Sequence, residues 1–222
     1  MRWVKRVLIF FLPIVIISLL IVLYADRIAA FSVAHFTEYR LSYSKWGRNP
    51  FNRLEIDGAC LRSESKGFAA YAEKIRFYPD LSRMLDAGQV TIGCEMEGVY
   101  FEGTGSFSSD NILAFPFTHG QKYPKIRFKA FLDKNTVKIS DFTAFSPDIR
   151  MRGGYTLVRD KNEIDIELKL SFSPKIIEKF PDSVKDEVLS PDEDGWYGTV
   201  ISYKGNRLFF NAIYSIANDI SF

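Results

Sequence analysis

Two hydrophobic patterns divide this chain. From Val7 to Tyr24 the run VLIFFLPIVIISLLIVLY carries no charged side chain. Its length suits one tilted helix across a hydrocarbon core about 30 Å thick. Pro13 lies inside the run, which a lipid-embedded helix tolerates. Arg2, Lys5 and Arg6 precede it and Asp26 and Arg27 follow it. By the positive-inside rule the N-terminus is therefore cytoplasmic and the residues past about 27 lie across the membrane. Trp3 and Tyr24 are placed as interfacial anchors. A cleaved signal peptide is the competing reading. The run exceeds a usual h-region and no clear small-x-small cleavage site follows it, so a retained anchor is expected.

After the anchor comes a helical stripe, then alternation. Ile28, Phe31, His35 and Tyr39 recur at spacings of three and four, which predicts a helix over 25–40. Gly47-Arg48-Asn49-Pro50 reads as a turn. Leu54, Ile56, Gly58 and Cys60 then share one face of a predicted strand, and Ile75 and Phe77 one face of the next. Val90, Ile92, Cys94, Met96 and Tyr100 share a face of a third. Between the second and third, PDLSRMLDAG predicts a short helix opened by Pro79 and closed by Gly88. Residues 103–124 are less regular: GTGSFSSDN is a loop by composition, and the proline in LAFPF makes it an edge strand or turn.

From Lys125 the pattern is a β-meander. PKIRFKAFLD and NTVKISDFTAF are separated at Asp133-Lys134-Asn135, and DIRMRGGYTLV and NEIDIELKLSF at Arg159 to Asn162. In the last of these Ile164, Ile166, Leu168, Leu170 and Phe172 alternate with polar residues. Ser173 as N-cap and Pro174 at the first helical position open a helical segment that Pro181 divides in two. WYGTVISYKGNRLFFNAIYSI predicts a final hairpin turning at Lys204-Gly205-Asn206. The fold expected is mainly β: an N-terminal transmembrane helix, then a curved antiparallel sheet with two or three short helices. Residues 1–27 are a cytoplasmic stub and anchor, 28–50 a juxtamembrane helix and turn, and 51–222 a single extracytoplasmic domain.

Composition narrows the chemistry. Lys+Arg 29 against Asp+Glu 27 leaves a net charge of +2, so no global field favours nucleic acid. The 20 Phe and 11 Tyr suit strands and apolar grooves alike. Cys60 and Cys94 fit no metal spacing. Across the membrane they face an oxidising compartment where a disulfide persists; closing that loop contributes about 3–4 kcal/mol in the chain-entropy model. Two buried free thiols are the other reading. His35 and His119, the only histidines, stand in no ligand or nucleophile pattern, and no G-x-S-x-G, P-loop or dinucleotide fingerprint occurs. Gly103-Thr104-Gly105 precedes no amphipathic helix, and Asp192-Glu193-Asp194 reads as a solvated loop. Arg127 and Lys129, or Arg150 and Arg152, line a strand face where lipid phosphate or plain solvent would meet them. No catalytic residue, metal or cofactor is expected, and the chain is not read as an enzyme.

Two stretches carry a resemblance. Leu54 to Phe101 resembles the opening module of AsmA-type proteins and their relatives, the TamB-like and chorein-type lipid-transfer proteins. That module has a strand, a strand with an "a-x-x-i/v-x-f/v" pattern, a helix of "dLxxLLxG" type and a strand ending "i-x-x-x-x-l-e-G-v-x-f". The counterparts are Ala72 to Phe77, Asp80 to Gly88, and Val90 to Phe101 with Gly98-Val99. The charge-free N-terminal run also matches. Leu168 to Phe210 is similar to the closing segment of AsmA-like proteins and of the small type II secretion protein N group. Asp194-Gly195 to Leu208 fits it, and the usual late proline is missing. The resemblance implies a twisted antiparallel sheet curled into a groove with an apolar inner face, in proteins of envelope lipid traffic and outer-membrane assembly. The full-length members are much longer.

The physical question is where the apolar strand faces go, because so little helix cannot shield them. Either two sheets close as a sandwich, or one sheet curls and leaves an apolar trough. The leading expectation is a non-enzymatic envelope protein anchored in the inner membrane, its domain in the periplasm, that binds or hands on phospholipid through an apolar groove. Ile56, Ile75, Phe77, Ile92, Ile126, Phe128, Ile166, Leu168 and Leu170 are the candidate groove residues; ordinary core packing is their alternative role. The runner-up is a scaffold subunit of a secretion or assembly complex, joined to an envelope partner by edge-strand pairing. A hydrolase stands a distant third.

Overall fold

In the computed structural model, residues 39–49, 53–65, 67–80, 89–103, 122–180 and 182–206 are described, with three isolated upstream positions. Those three, Arg27, Ala30 and His35, are helical, where the stripe of threes and fours predicts helix. The anchor predicted over Val7–Tyr24 lies outside the described residues. So do positions 81–88 of the short predicted helix, the irregular stretch 104–121, and all that follows Asn206. Among the described residues no helix is long and apolar enough to cross a membrane.

The strands are β1 (Arg40–Ser42), β2 (Lys45–Asn49), β3 (Arg53–Ser63), β4 (Phe68–Asp80), β5 (Val90–Gly103), β6 (Lys122–Leu132), β7 (Thr136–Phe145), β8 (Ile149–Val158), β9 (Glu163–Phe172), β10 (Ser190–Pro191) and β11 (Tyr197–Asn206). They form one eleven-stranded sheet in the order β1-β3-β4-β5-β6-β7-β8-β9-β11-β10, with β2 also on β3. Every pairing is antiparallel. Two facing sheets, one of the two expected arrangements, do not occur among the described residues. Helices α1 (Pro174–Ile177) and α2 (Asp182–Glu187) stand where Pro174 and Pro181 place them.

Local chemistry accounts for the meander. Asp133 Oδ1 accepts the backbone N–H of Asn135 at 2.8 Å and of Thr136 at 2.6 Å, which closes the β6–β7 turn. Those two bonds also hold its carboxyl below the usual range. Ser146 Oγ accepts the Ile149 N–H at 2.9 Å in the β7–β8 turn. Ser173 does not cap α1 with its side chain; its hydroxyl donates to Asp148 Oδ1 at 2.8 Å and ties the helix start to that turn.

Three boundaries differ from the sequence pattern. Gly47 to Asn49, predicted as a turn, belong to β2, paired with Arg53 to Glu55. Pro79 and Asp80 end β4 opposite Ile92 and Thr91 rather than opening a helix; a proline, lacking a donor, is tolerated at a strand end. Lys204, Gly205 and Asn206 remain strand, paired with Asp165, Ile164 and Glu163. The ladder to β9 overrides the turn propensity of Gly-Asn, and the predicted return strand falls outside the described residues.

A fourth difference matters most for the faces. On β3 to β6 the two-residue alternation slips once, in all four strands together. Ile56 and Ala59, Ala72 and Ile75, Met96 and Val99, and Tyr123 and Ile126 belong to one hydrophobic cluster at spacings of three. The register is the same on both sides of the slip, Asp57↔Lys74 and Ala59↔Ala72 among others, so no strand gains a residue over its neighbour. Gly58 and Gly98 stand in the slip with φ of +60° each, a conformation glycine adopts without a Cβ penalty. β7 slips separately, at a bulge where Asp141 takes φ 54°. β8, β9 and β11 keep strict alternation. The result is one continuous apolar face and one polar face.

Candidate functional site

Register places all nine sequence-predicted groove residues on the apolar face. One transverse row runs Trp46, Ile56, Ile75, Met96, Ile126, Ala144, Met151, Leu170 and Thr199, each the cross-strand partner of the next. Phe77 faces Cys94, which faces Phe128 in the row beside it, and Leu168 continues that row opposite Gly153. A third row runs Pro79, Ile92, Ala130, Ile139, Tyr155, Ile166 and Tyr203. Tyr155, Ile139 and Tyr203 are absent from the nine; their signal was the same period-two pattern on β7, β8 and β11.

Burial grades along the strands. Ile149, Met151, Leu170 and Phe172 are fully buried, and Ile56 and Ile126 are 4% and 3% exposed. Ile176, Ile177, Phe180 and Leu189, from α1 and the segment around α2, pack onto this end. The Phe180 ring sits edge-on to Phe172 at 5.3 Å. In the row from Pro79 to Tyr203 every residue is only half-buried. Arg40 pairs with Arg62 at the helix-covered end, so the chain enters the sheet there and the less covered strip lies towards the other end, short of Ile164, which is 3% exposed. Of the nine candidates, Ile56, Ile126 and Leu170 are core. Ile75, Phe77, Ile92, Phe128, Ile166 and Leu168 are half-buried, and Ile92 and Ile166 sit in the strip.

The cysteines are free thiols, and of the two readings the disulfide is the one that does not form. The slip at Gly58 moves Cys60 to the polar face, opposite Tyr71, which stacks on Tyr100 at 4.6 Å. Tyr100 was expected on the apolar face and is turned over by the same slip. Cys94 is 3% exposed on the apolar face. Two strand spacings and six residues of β5 put the thiols roughly 20 Å apart, far beyond disulfide reach. Burial, with the charge of Glu95 behind it, raises the Cys94 thiol to about 12.

The polar face of β3 to β7 is a lattice of ion pairs. Arg76 bonds Glu97 and reaches Glu55 at 3.3 Å; Lys74 bonds Glu55 at 3.0 Å. Arg127 and Lys125 hold Glu95 at 3.0 and 3.1 Å, and Lys129 holds Asp141 at 2.9 Å. Bonding to Lys74 lowers the Glu55 carboxyl, and bonding to Arg76 lowers that of Glu97. These charges satisfy one another, as a solvated sheet face requires. Among the described residues no group of His, Cys, Asp and Glu could hold a metal ion. No family model, curated protein or solved structure matches the chain.

Proposed function

We propose that this chain is a membrane-anchored, non-enzymatic extracytoplasmic protein of AsmA-like type that binds or hands on phospholipid through its apolar sheet face. The observation that carries the reading is the half-buried row from Pro79 to Tyr203, which crosses the sheet on the side that α1 and Phe180 do not reach. An acyl chain laid across it would remove apolar surface from water, at about 25 cal/mol per Å². The charge-free run before the domain and the resemblance of Leu54–Phe101 support an inner-membrane anchor and a periplasmic domain. The test is a photo-reactive side chain at Ile166 or, as control, at Lys204 on the polar face of the full-length chain in bacterial membranes. Phospholipid adducts at position 166 and not at 204 are expected. Equal labelling at both, or none, removes the reading.

The scaffold reading rests on a different observation. Only Tyr197 and Gly198 of β11 are paired by β10. From Thr199 to Asn206 the outer edge has no strand neighbour among the described residues, and Val200 is 59% exposed. Such an edge is a template for strand addition. Stoichiometric recovery of an envelope protein with lipid-free chain from solubilised membranes would favour it.

A further inference from the structure

On the polar face the two arginines of β8 stand outside the ion-pair lattice. Arg150 and Arg152 project two residues apart from β8, and no carboxylate lies within ion-pair distance of either among the described residues. Each is instead laid over an aromatic ring. The Arg150 Cζ is 3.8 Å from the Trp196 ring centre and the Arg152 Cζ is 5.2 Å from that of Phe145. A ring beneath a guanidinium attracts it and restrains its position without using its N–H groups, which remain available to an oxyanion. Arg152 is the cross-strand partner of Lys169, and Arg150 that of Ser171. Two like charges directly opposite are unfavourable unless an anion is shared between them.

Asp192 answers only part of that charge. Its carboxylate already takes Lys169 Nζ at 2.9 Å and Ser171 Oγ at 3.0 Å, and its backbone N–H donates to the Trp196 carbonyl at 2.7 Å, closing the loop that returns Trp196 over Arg150. A hollow of about 110 Å³ opens among Arg150, Arg152, Lys169, Ser171, Asp192 and Asp194. Three cations and two carboxylates line it, one positive charge in excess among these residues, and neither guanidinium has a carboxylate partner among the described residues.

We propose that Arg150 and Arg152 form a binding site for a phosphate-type oxyanion, the two forks taking its oxygens while Trp196 and Phe145 hold them in place. The site lies on the opposite face from the apolar strip, and its fate is independent of the lipid reading. The source of the phosphate is either free in solution or a phospholipid headgroup, and the chemistry at the arginines is the same.

The experiment uses the full chain in neutral detergent micelles. Radiolabelled inorganic phosphate is measured by equilibrium dialysis, and phosphatidylglycerol retention by native mass spectrometry. Binding in either arm, weakened about tenfold or more by Arg150→Gln or Arg152→Gln, supports the site; binding in the lipid arm alone identifies a headgroup as the source. Arg150→Lys keeps the charge and loses the fork, so it should bind several-fold more weakly than wild type. Asp192→Asn releases Lys169 and should tighten binding, an outcome that damage to the fold would not produce. Lys204→Gln, on the same face but distant, should leave binding unchanged. No binding in either arm, or equal binding by the Gln variants and wild type, overturns the proposal.

Discussion

Two rows of the apolar face are built from the same strands and the same kinds of residue, yet one is core and the other is half-buried, although Ile164 beyond it is 3% exposed. Met151 and Leu170 are 0% exposed. Four residues along each strand, Tyr155 and Ile166 are only half-buried. What differs is the cover. Ser173 to Leu189 follows β9 directly and folds back over the end at which β9 finishes, putting Ile176, Ile177, Phe180 and Leu189 onto it. Alternation along a strand therefore decides which face is apolar, and the placement of a single connecting segment decides how much of that face is dry.

The sharpest way to break the comparison is to truncate both rows equally. Leu170→Ala should cost about 3 kcal/mol of stability, since it opens a cavity beneath packed neighbours. Ile166→Ala should cost about 1 kcal/mol, because a half-buried side chain forfeits less contact. Denaturant unfolding of the two variants reads the difference directly, and equal losses would mean that the rows are equally packed.

A smaller effect than at Leu170 is expected at the seam that keeps the face continuous. Gly98→Ala forces a Cβ into φ +60° and sets it 2.3 Å from Glu73 Cδ. Glu73 is exposed and its side chain can move, so the backbone term dominates, at about 1–2 kcal/mol. A neutral Gly98→Ala variant would show that the slip across β3 to β6 does not need the left-handed conformation.

Much of this was legible in the sequence. The hairpins at Asp133 and Arg159, the helix start at Ser173-Pro174 and the shared face of all nine groove candidates followed from turn chemistry and period two. The slip did not. Strict alternation carries Cys60 onto the face of Ile56, and Tyr100 onto that of Met96. A single glycine inside a strand is an ambiguous mark: it signals a bulge, a close approach or nothing. Only the register showed Gly58 and Gly98 lying in one transverse line. The cover was half legible: α1 and its apolar residues were visible, but nothing local indicates which end of a sheet a helix folds over. The arginine pair on β8 was legible as a charged strand face, but the ring beneath Arg150 was not, because Trp196 reaches it through a loop, a contact with no period.

The thiols give the last and smallest test, and it returns to the faces. In the native protein a small maleimide should label Cys60 and spare Cys94, with both labelled after unfolding and no disulfide detected at any stage. For stability the sign follows from the raised thiol. Cys94 moves from 9.0 to about 12 on folding, so above pH 9 the unfolded chain ionises it while the folded chain keeps its proton. The folded state then binds more protons, and stability falls as pH rises from 9 towards 12. Below pH 9 this contribution is fully present and does not vary. Tyr123 and Tyr100, also raised by burial, push in the same direction, so the quantity to compare is the slope of stability against pH. Cys94→Ala should flatten that slope between pH 9 and 12. If the variant kept the wild-type slope, Cys94 would not be held against Phe77 and Phe128 on the apolar face, and the placement of that face on β5 would be wrong.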